Sequence, residues 1–218
     1  MITAIQKIID KVNVTHGTSF TLDSSLACSC EINYHQTQQE DWQSVISKIC
    51  QYTQHIWYID GTVVRLIDKL GGITPPLTIT DFEILDDGLS SQSDDAIVNT
   101  YRSEWDTQVF DARARSLSVN SKSASVSTGL VSGTQSDVQP LDYIRSNILE
   151  VLERHRQVHM LDSLTIRLGI PRNISVGQRL TLESDYASGE FIVLNKRFTT
   201  TSDEELSGLG SITYKDYT

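Results

Sequence analysis

The sequence predicts an α+β fold, mainly antiparallel β with two or three helices and a small β-barrel or sheet at its C-terminal end. Three observations predict it. Two β-branched and aromatic runs, IWYI (56–59) and TVVRLI (62–67), flank an Asp60-Gly61 pair, the signature of a hairpin with a two-residue turn. Three stretches carry apolar residues at helical spacing. Beyond residue 162, short apolar runs alternate with turn residues at a spacing that suits antiparallel strands.

The elements follow in order. Ile2, Ile5, Ile8, Ile9 and Val12 share one face of a helix over residues 2–12. THGTSFTLDSSLACSCEINYH then gives turn chemistry and short β-like pieces. Asp41 suits an N-cap. Trp42, Val45, Ile46, Ile49, Tyr52 and Thr53 behind it form the stripe of a helix that ends near Gln54 or His55. The hairpin comes next, with Asp60 and Gly61 supplying the positive φ angles of a type I′ turn. Gly71-Gly72 and Pro75-Pro76 break the chain. LTITDFEIL (77–85) alternates as a strand, Asp86-Asp87-Gly88 turns it, and a polar loop runs to Asp95.

Residues 96–106 and 109–112 read as a strand pair, with RSEWDTQVF around its turn. Residues 116–136 hold eight serines and two glycines, a composition that predicts a flexible or weakly paired surface hairpin. Pro140 opens a helix to about Val158, with Leu141, Ile144, Ile148, Val151, Leu152 and His155 along its stripe. SLTIRLGI (163–170), QRLTLES (178–184), GEFIVLNKRFTTT (189–201) and GLGSITYKD (208–216) are the closing strands. PRNISVG, DYAS and SDEEL are the turns between them. The expected division is a helix–hairpin α+β domain over 1–95 and a β domain over 96–218, with a helix inserted at about 141–158.

Composition narrows the function. A chain of 218 residues can bury a core without staples. Its 39% apolar content suits thin β-layers or burial against other subunits. The net charge of −10 argues against phosphate neutralisation as its main business. Cys28, Cys30 and Cys50 are too few, and odd in number, for a disulfide framework, and read as buried or idle thiols. No apolar run reaches the length of a membrane span. MITAIQKIIDKV is amphipathic, unlike a signal peptide.

Each candidate site has a plainer reading. His155 and His159 are four apart on a helix and could share a metal. The intervening residues are Arg-Gln-Val, without the glutamate of a zinc protease, so a structural or surface role is preferred. Asp86-Asp87 and Asp94-Asp95 lack the ligand spacing of a calcium loop and read as solvated charges. SGLGS (207–211) precedes a strand rather than a helix and reads as a β-turn, not a phosphate cradle. The serine run contains no nucleophile elbow. Trp42, Trp57 and Trp105 read as core or interface anchors before a sugar platform. Arg113 and Arg115 read as ion-pair partners before a phosphate grip. No catalytic, cofactor-binding or metal-ligating set is expected, and the special residues go to turns and strand pairing.

The run HQTQQEDWQSVISKICQYTQHIWYIDGTVVRLID resembles the central part of phage baseplate or tail hub proteins, relatives in fold of the base of type VI secretion spikes. Gln38, Asp41, Trp42, Trp57, Asp60 and Gly61 stand at the corresponding places. ISVGQRLTLES, GEFIVLNKRF and GLGSITY are similar to the family's closing β-domain. The resemblance implies a non-enzymatic hub. The sequence departs from it in lacking the barrel with which such proteins begin, so it reads as part of a longer protein, a reduced hub or a relative with a different place in the tail. The resemblance implies a homo-oligomer, a trimer or ring, that joins tail tube to spike or tip, with DNA as passing cargo only. It also implies a place in the virion tail after synthesis in the host cytoplasm, no cofactor and no membrane insertion. Two other classes stay open beside it: a tail-associated cell-wall hydrolase, which needs two carboxylates flanking a sugar, and a β module that binds peptide or glycan.

Overall fold

A computed structural model describes residues 1–28, 30, 40–92, 98–111, 116–127, 134–138, 148–198 and 203–215. The elements in order are α1 (Ile2–His16), β1 (Thr21–Leu26), α2 (Trp42–Tyr52), β2 (His55–Asp60), β3 (Val63–Asp68) and β4 (Ile73–Thr80). A 3₁₀ turn (Asp81–Glu83) leads to β5 (Ile84–Gln92), β6 (Val98–Asp111), β7 (Ser116–Ser127) and β8 (Thr134–Val138). Then come α3 (Ile148–His159), β9 (Asp162–Leu168), β10 (Gln178–Glu183), β11 (Ala187–Phe198) and β12 (Glu204–Tyr214). The architecture is α+β, with three helices and mixed sheets among the described residues.

Two compact units share the chain, interleaved in sequence. One is Met1–Asp23, Ser29–Arg65 and Ala96–Arg156; the other is Ser24–Cys28, Leu66–Asp95 and Gln157–Thr218.

In the first unit, α1 buries Ile5, Ile9 and Val12, and Gly17 ends it in the left-handed conformation (φ 64°) that a glycine adopts freely. Asp41 caps α2 as its sequence predicts, accepting from Ser44 N at 2.9 Å. Behind that cap, Val45, Ile46, Ile49, Cys50 and Tyr52 are buried. The helix stops at Tyr52 because Gln54 turns left-handed (φ 58°) and sends the chain into β2. β2 pairs with β3, and β3 with β1. The hairpin is present but its turn differs from expectation. Of Asp60 and Gly61, only Gly61 takes a positive φ (61°). The loop is Gly61-Thr62, with glycine leading, so Asp60 stays in its strand.

Two further expectations fail in this unit. Residues 96–112 are not a strand pair: β6 runs unbroken from Val98 to Asp111. RSEWDTQVF contains no glycine, proline or asparagine to bend it, and β-formers alternate through it at Trp105, Thr107 and Val109. Nor do the described parts of 116–136 pair with each other: β7 and β8 lie on either side of β6. β7 pairs antiparallel with β6 in continuous register from Asp111↔Ser116 to Thr100↔Ser127, and β8 pairs parallel to β6. The ladder to β6 overrides a weak local preference for strand. Of the long helix, Ile148 onward is helical and ends at His159; Pro140, Leu141 and Ile144 lie outside the described residues.

The second unit is a six-stranded sheet in the order β4-β10-β11-β12-β9-β5. The four predicted C-terminal strands form its middle, and β4 and β5 are its edges; no closed barrel is found among the described residues. Ile79, Leu164, Ile166, Leu168, Leu180, Leu182, Phe191, Val193 and Leu206 make the core. Alternation explains this set: β9 buries Leu164, Ile166 and Leu168, and β10 buries Leu180 and Leu182. Pro75-Pro76 is accommodated on edge strand β4, where the register with β10 skips between Gln178 and Leu180.

LTITDFEIL is not one strand. Thr80 and Glu83 form a capping box, with Thr80 N donating to Glu83 Oε2 at 2.9 Å, and the chain makes a 3₁₀ turn between them. Asp86-Asp87-Gly88 is not a turn but lies inside β5, at a register shift between Ile84 and Leu89. A β-carbon at Gly88 would sit 2.6 Å from Leu85 O, so the bulge requires glycine.

SGLGS and SDEEL are corrected together. SGLGS lies in β12, and so do Glu204, Glu205 and Leu206 of SDEEL. Gly208 and Gly210 serve no turn. A β-carbon at Gly208 would stand 1.9 Å from Ile192 O, and one at Gly210 would stand 2.2 Å from Glu190 O. The two central strands approach too closely for any side chain there.

Candidate functional site

Among the described residues, the first unit presents a formed groove. Asp41, Gln43, Ser44, Ser47, Lys48 and Gln51 line it along α2, and Trp57 closes it from β2, around about 620 Å³. Sequence places them. Positions 44, 47, 48 and 51 recur at three- and four-residue spacing on the helix face opposite the buried stripe. Alternation along β2 brings Trp57 up beside them. Trp57 Nε1 donates to Ser47 Oγ at 3.0 Å, which fixes the indole. Trp42 meets it at 6.0 Å between ring centroids, and Phe20 meets Trp42 at 5.7 Å. Tilted rings at these distances pack favourably.

The groove is polar, but its charged groups are engaged. Asp41 accepts from Ser44 N at 2.9 Å and from Ser44 Oγ at 2.5 Å. Those hydrogen bonds, the hydroxyl's first, hold its carboxyl below the ordinary value of 3.8. A carboxylate kept ionised as a helix cap is unsuited to act as a general acid. Lys48 pairs with Glu40 at 2.5 Å.

On the hairpin, Arg65 reaches Asp23 at 2.6 Å and Asp60 at 3.1 Å. The bond to Asp60 is the main reason its pKa rises. Tyr58 is also raised, chiefly by burial, with Arg65 pulling the other way. The two carboxylates clamp one cation between β1, β2 and β3, which ties the hairpin's register to β1.

A threonine–histidine contact is also present. His55 Nδ1 lies 2.9 Å from Thr53 O and 3.1 Å from Thr53 Oγ1. Thr53 is wholly buried and its hydroxyl donates to Ile49 O at 2.9 Å. That hydroxyl finishes α2 rather than facing a substrate.

His155 packs on the end of α2. Its Nε2 is 2.7 Å from Tyr52 O, Gln54 Nε2 is 3.0 Å from its Nδ1, and its ring meets the edge of Tyr52 at 5.8 Å. The structural reading of His155 is thus the observed one; the side chain of His159 lies outside the described residues. Trp42 and Trp57 come together, whereas the side chain of Trp105 is outside. Arg113, Arg115, Asp94 and Asp95 are outside too, as are the side chains of Asp86 and Asp87. Cys30 and Cys50 are buried and Cys28 is half-buried.

Sequence reasoning missed Lys196 and Glu204. They meet at 2.6 Å in the second unit, where the carboxylate is fully buried. An acidic pair in a turn-like run carried no signal of burial.

No family model matches the chain, and no curated protein matches it. Solved structures do. A chain of the virion of a native gene transfer agent particle superposes with a TM-score of 0.66 at 10% identity, covering 94% of this chain. The fold is shared with phage tail proteins. The 43 kDa tail protein of prophage MuSo2 from Shewanella oneidensis aligns at 0.59 with 9% identity over 94% of the chain. Prophage tail protein gp18 from Listeria monocytogenes aligns at 0.50 with 11% identity over 88%. The chain spans 47%, 65% and 60% of those three in turn. Among the described residues no helix is long and apolar enough to cross a membrane.

Proposed function

We propose that the chain is a non-enzymatic structural component of a phage-type tail. In this reading it belongs to the baseplate or hub, joins tail tube to spike or tip, and works as a ring or other closed homo-oligomer. One observation carries the reading: its fold is shared over 94% of its length with a chain of a gene transfer agent virion. The distribution of its side chains supports it. The polar groove is lined by a capping carboxylate and paired charges, while β4 and β5 are the edge strands of their sheet among the described residues, the kind of edge on which a neighbour's strand pairs. A ring needs such a heterologous, closing contact. The net charge of −10 suits a lumen through which DNA slides without sticking.

Proteomics of purified particles tests this. The chain is expected at a fixed copy number among the tail proteins, in the tail fraction after heads and tails are separated. Particles that assemble complete, infectious tails without it contradict the reading. Cleavage of purified cell wall by the isolated chain, lost on one carboxylate substitution, favours the hydrolase reading instead.

A further inference from the structure

We infer that one end of the six-stranded sheet, where Phe82, Tyr186 and Tyr214 stand exposed among Asp81, Glu183 and Asp185, docks a different protein that presents basic side chains around an apolar socket. Phe82 is 98% exposed, Tyr186 56% and Tyr214 52%. Single exposed apolar residues are ordinary on any protein. Phe82 and Tyr186 stand on two turns that one hydrogen bond joins, and Tyr214 ends the strand paired beside the second, so three exposed aromatic residues share one connected frame of the kind that serves an interaction site.

The turns are tied to one another. Asp185 N donates to Asp81 Oδ2 at 2.7 Å, which joins the 3₁₀ turn to the β10–β11 turn. Lys215 N donates to Tyr186 O at 2.9 Å, and Tyr214 pairs with Ala187, which joins that turn to the end of β12. Each turn is also fixed from within. The capping box and an ion pair of Glu83 with Arg172 at 2.8 Å hold Phe82's turn. Ser184 Oγ accepts from Tyr186 N at 3.1 Å and from Ala187 N at 2.9 Å. The rings therefore stand on a pre-set frame, and docking on them loses little backbone freedom.

Charge chooses the partner. Arg172 neutralises Glu83, which leaves Asp81, Glu183 and Asp185 around the rings. Lys215 is held beside them, its ammonium on Ser184 O at 2.5 Å, and offsets one of the three carboxylates, so the rim keeps a net negative charge. A second copy of a chain with net charge −10 meets this rim with repulsion, and so do nucleic-acid phosphates. A basic neighbour with an apolar centre gains from both the rim and the rings. The inference rests on the tail-assembly reading, since a subunit packed beside this one in a particle is the natural source of such a surface.

The test uses assembled particles with a photoreactive benzoylphenylalanine at Phe82 or at Tyr186, and at Val14 as a control that is 86% exposed in the other unit. Irradiation is expected to join Phe82 and Tyr186 to one and the same non-identical chain, within a Lys- and Arg-rich segment, well above the yield at Val14. The paired change Glu183→Lys/Asp185→Lys keeps the backbone donor of Asp185 and the side chain of Asp81. It is expected to lower the Phe82 yield by about tenfold. Circular dichroism checks that this variant remains folded. Cross-links to a second copy, yields no higher than at Val14, or indifference to charge reversal overturn the inference while leaving the chain in the particle. Absence of the chain from particles instead fails the assembly reading, and the inference with it.

Discussion

Lys196 Nζ stands 2.6 Å from Oε1 of Glu204, a carboxylate with no exposed surface. The second carboxylate oxygen accepts from Arg172 N at 2.8 Å, and the ammonium also donates to Ile174 O at 2.8 Å. The pair thus holds the β9–β10 connection, with its buried Ile174, onto the sheet. Removing one partner of a buried pair leaves a charge that nothing offsets. Lys196→Met is expected to cost about 3–5 kcal/mol in urea unfolding. Adding Glu204→Gln removes the stranded charge, keeps an acceptor for Arg172 N, and should recover most of that loss. Equal stability of the single and double variants would show that the stranded charge is not what destabilises the single one.

Gly208 and Gly61 separate two uses of glycine. At Gly208 an added β-carbon meets backbone at 1.9 Å, so Gly208→Ala must part β11 from β12. A cost at or above about 3 kcal/mol is expected, the upper range for overpacking. At Gly61 no atom lies within 4 Å, and only the positive φ resists a side chain. Gly61→Ala should cost about 1–2 kcal/mol. Thermal melts of both variants rank them directly.

Asp41 predicts a local pH response. Its folded pKa lies below 3.8, so its contribution is complete above the unfolded value and is lost as pH falls through the folded one. The first turn of α2 should therefore lose hydrogen-exchange protection only in strong acid, below about pH 4. Asp41→Asn still caps the helix and should remove that acid step while leaving protection at neutral pH. An acid step of the same size in the variant would assign it to another group.

Ile166 sits at the middle of the second core, wholly buried on β9. Ile166→Ala should cost about 2–5 kcal/mol from lost transfer energy and the cavity left behind. Phe82→Ala on the same unit, at an exposed site, should change stability by under about 0.5 kcal/mol. Chemical denaturation of the two variants distinguishes a residue of the core from one that serves a surface.

Local chemistry was legible in the sequence and tertiary chemistry was not. The Asp41 cap and its helix, the hairpin after it and the four C-terminal strands are each fixed by neighbours in sequence, and each is present. The capping box at Thr80 and Glu83 was equally local but was hidden inside an alternating run. Gly208 and Gly210 looked like a turn because glycine has two uses, backbone freedom and close approach, and only the neighbouring strand decides between them. β6 runs through a point where the sequence suggests a turn but holds no breaker, and β7 needs β6 to become a strand. Lys196 and Glu204 meet because the β11–β12 register pairs Phe198 with Glu204 and Lys196 with Leu206. Nothing near either residue in sequence records that. The groove at Trp57 is half legible: the sequence marks both tryptophans as anchors, and they meet, but the groove needs α2 and β2 side by side.

The most direct measurement of the central claim is the native mass of the purified chain, alone and mixed with the tail-tube and spike proteins encoded with it. The tail-assembly account predicts a closed homo-oligomer, or a complex of fixed stoichiometry with one of those proteins. A chain that stays monomeric at every concentration and binds neither contradicts it.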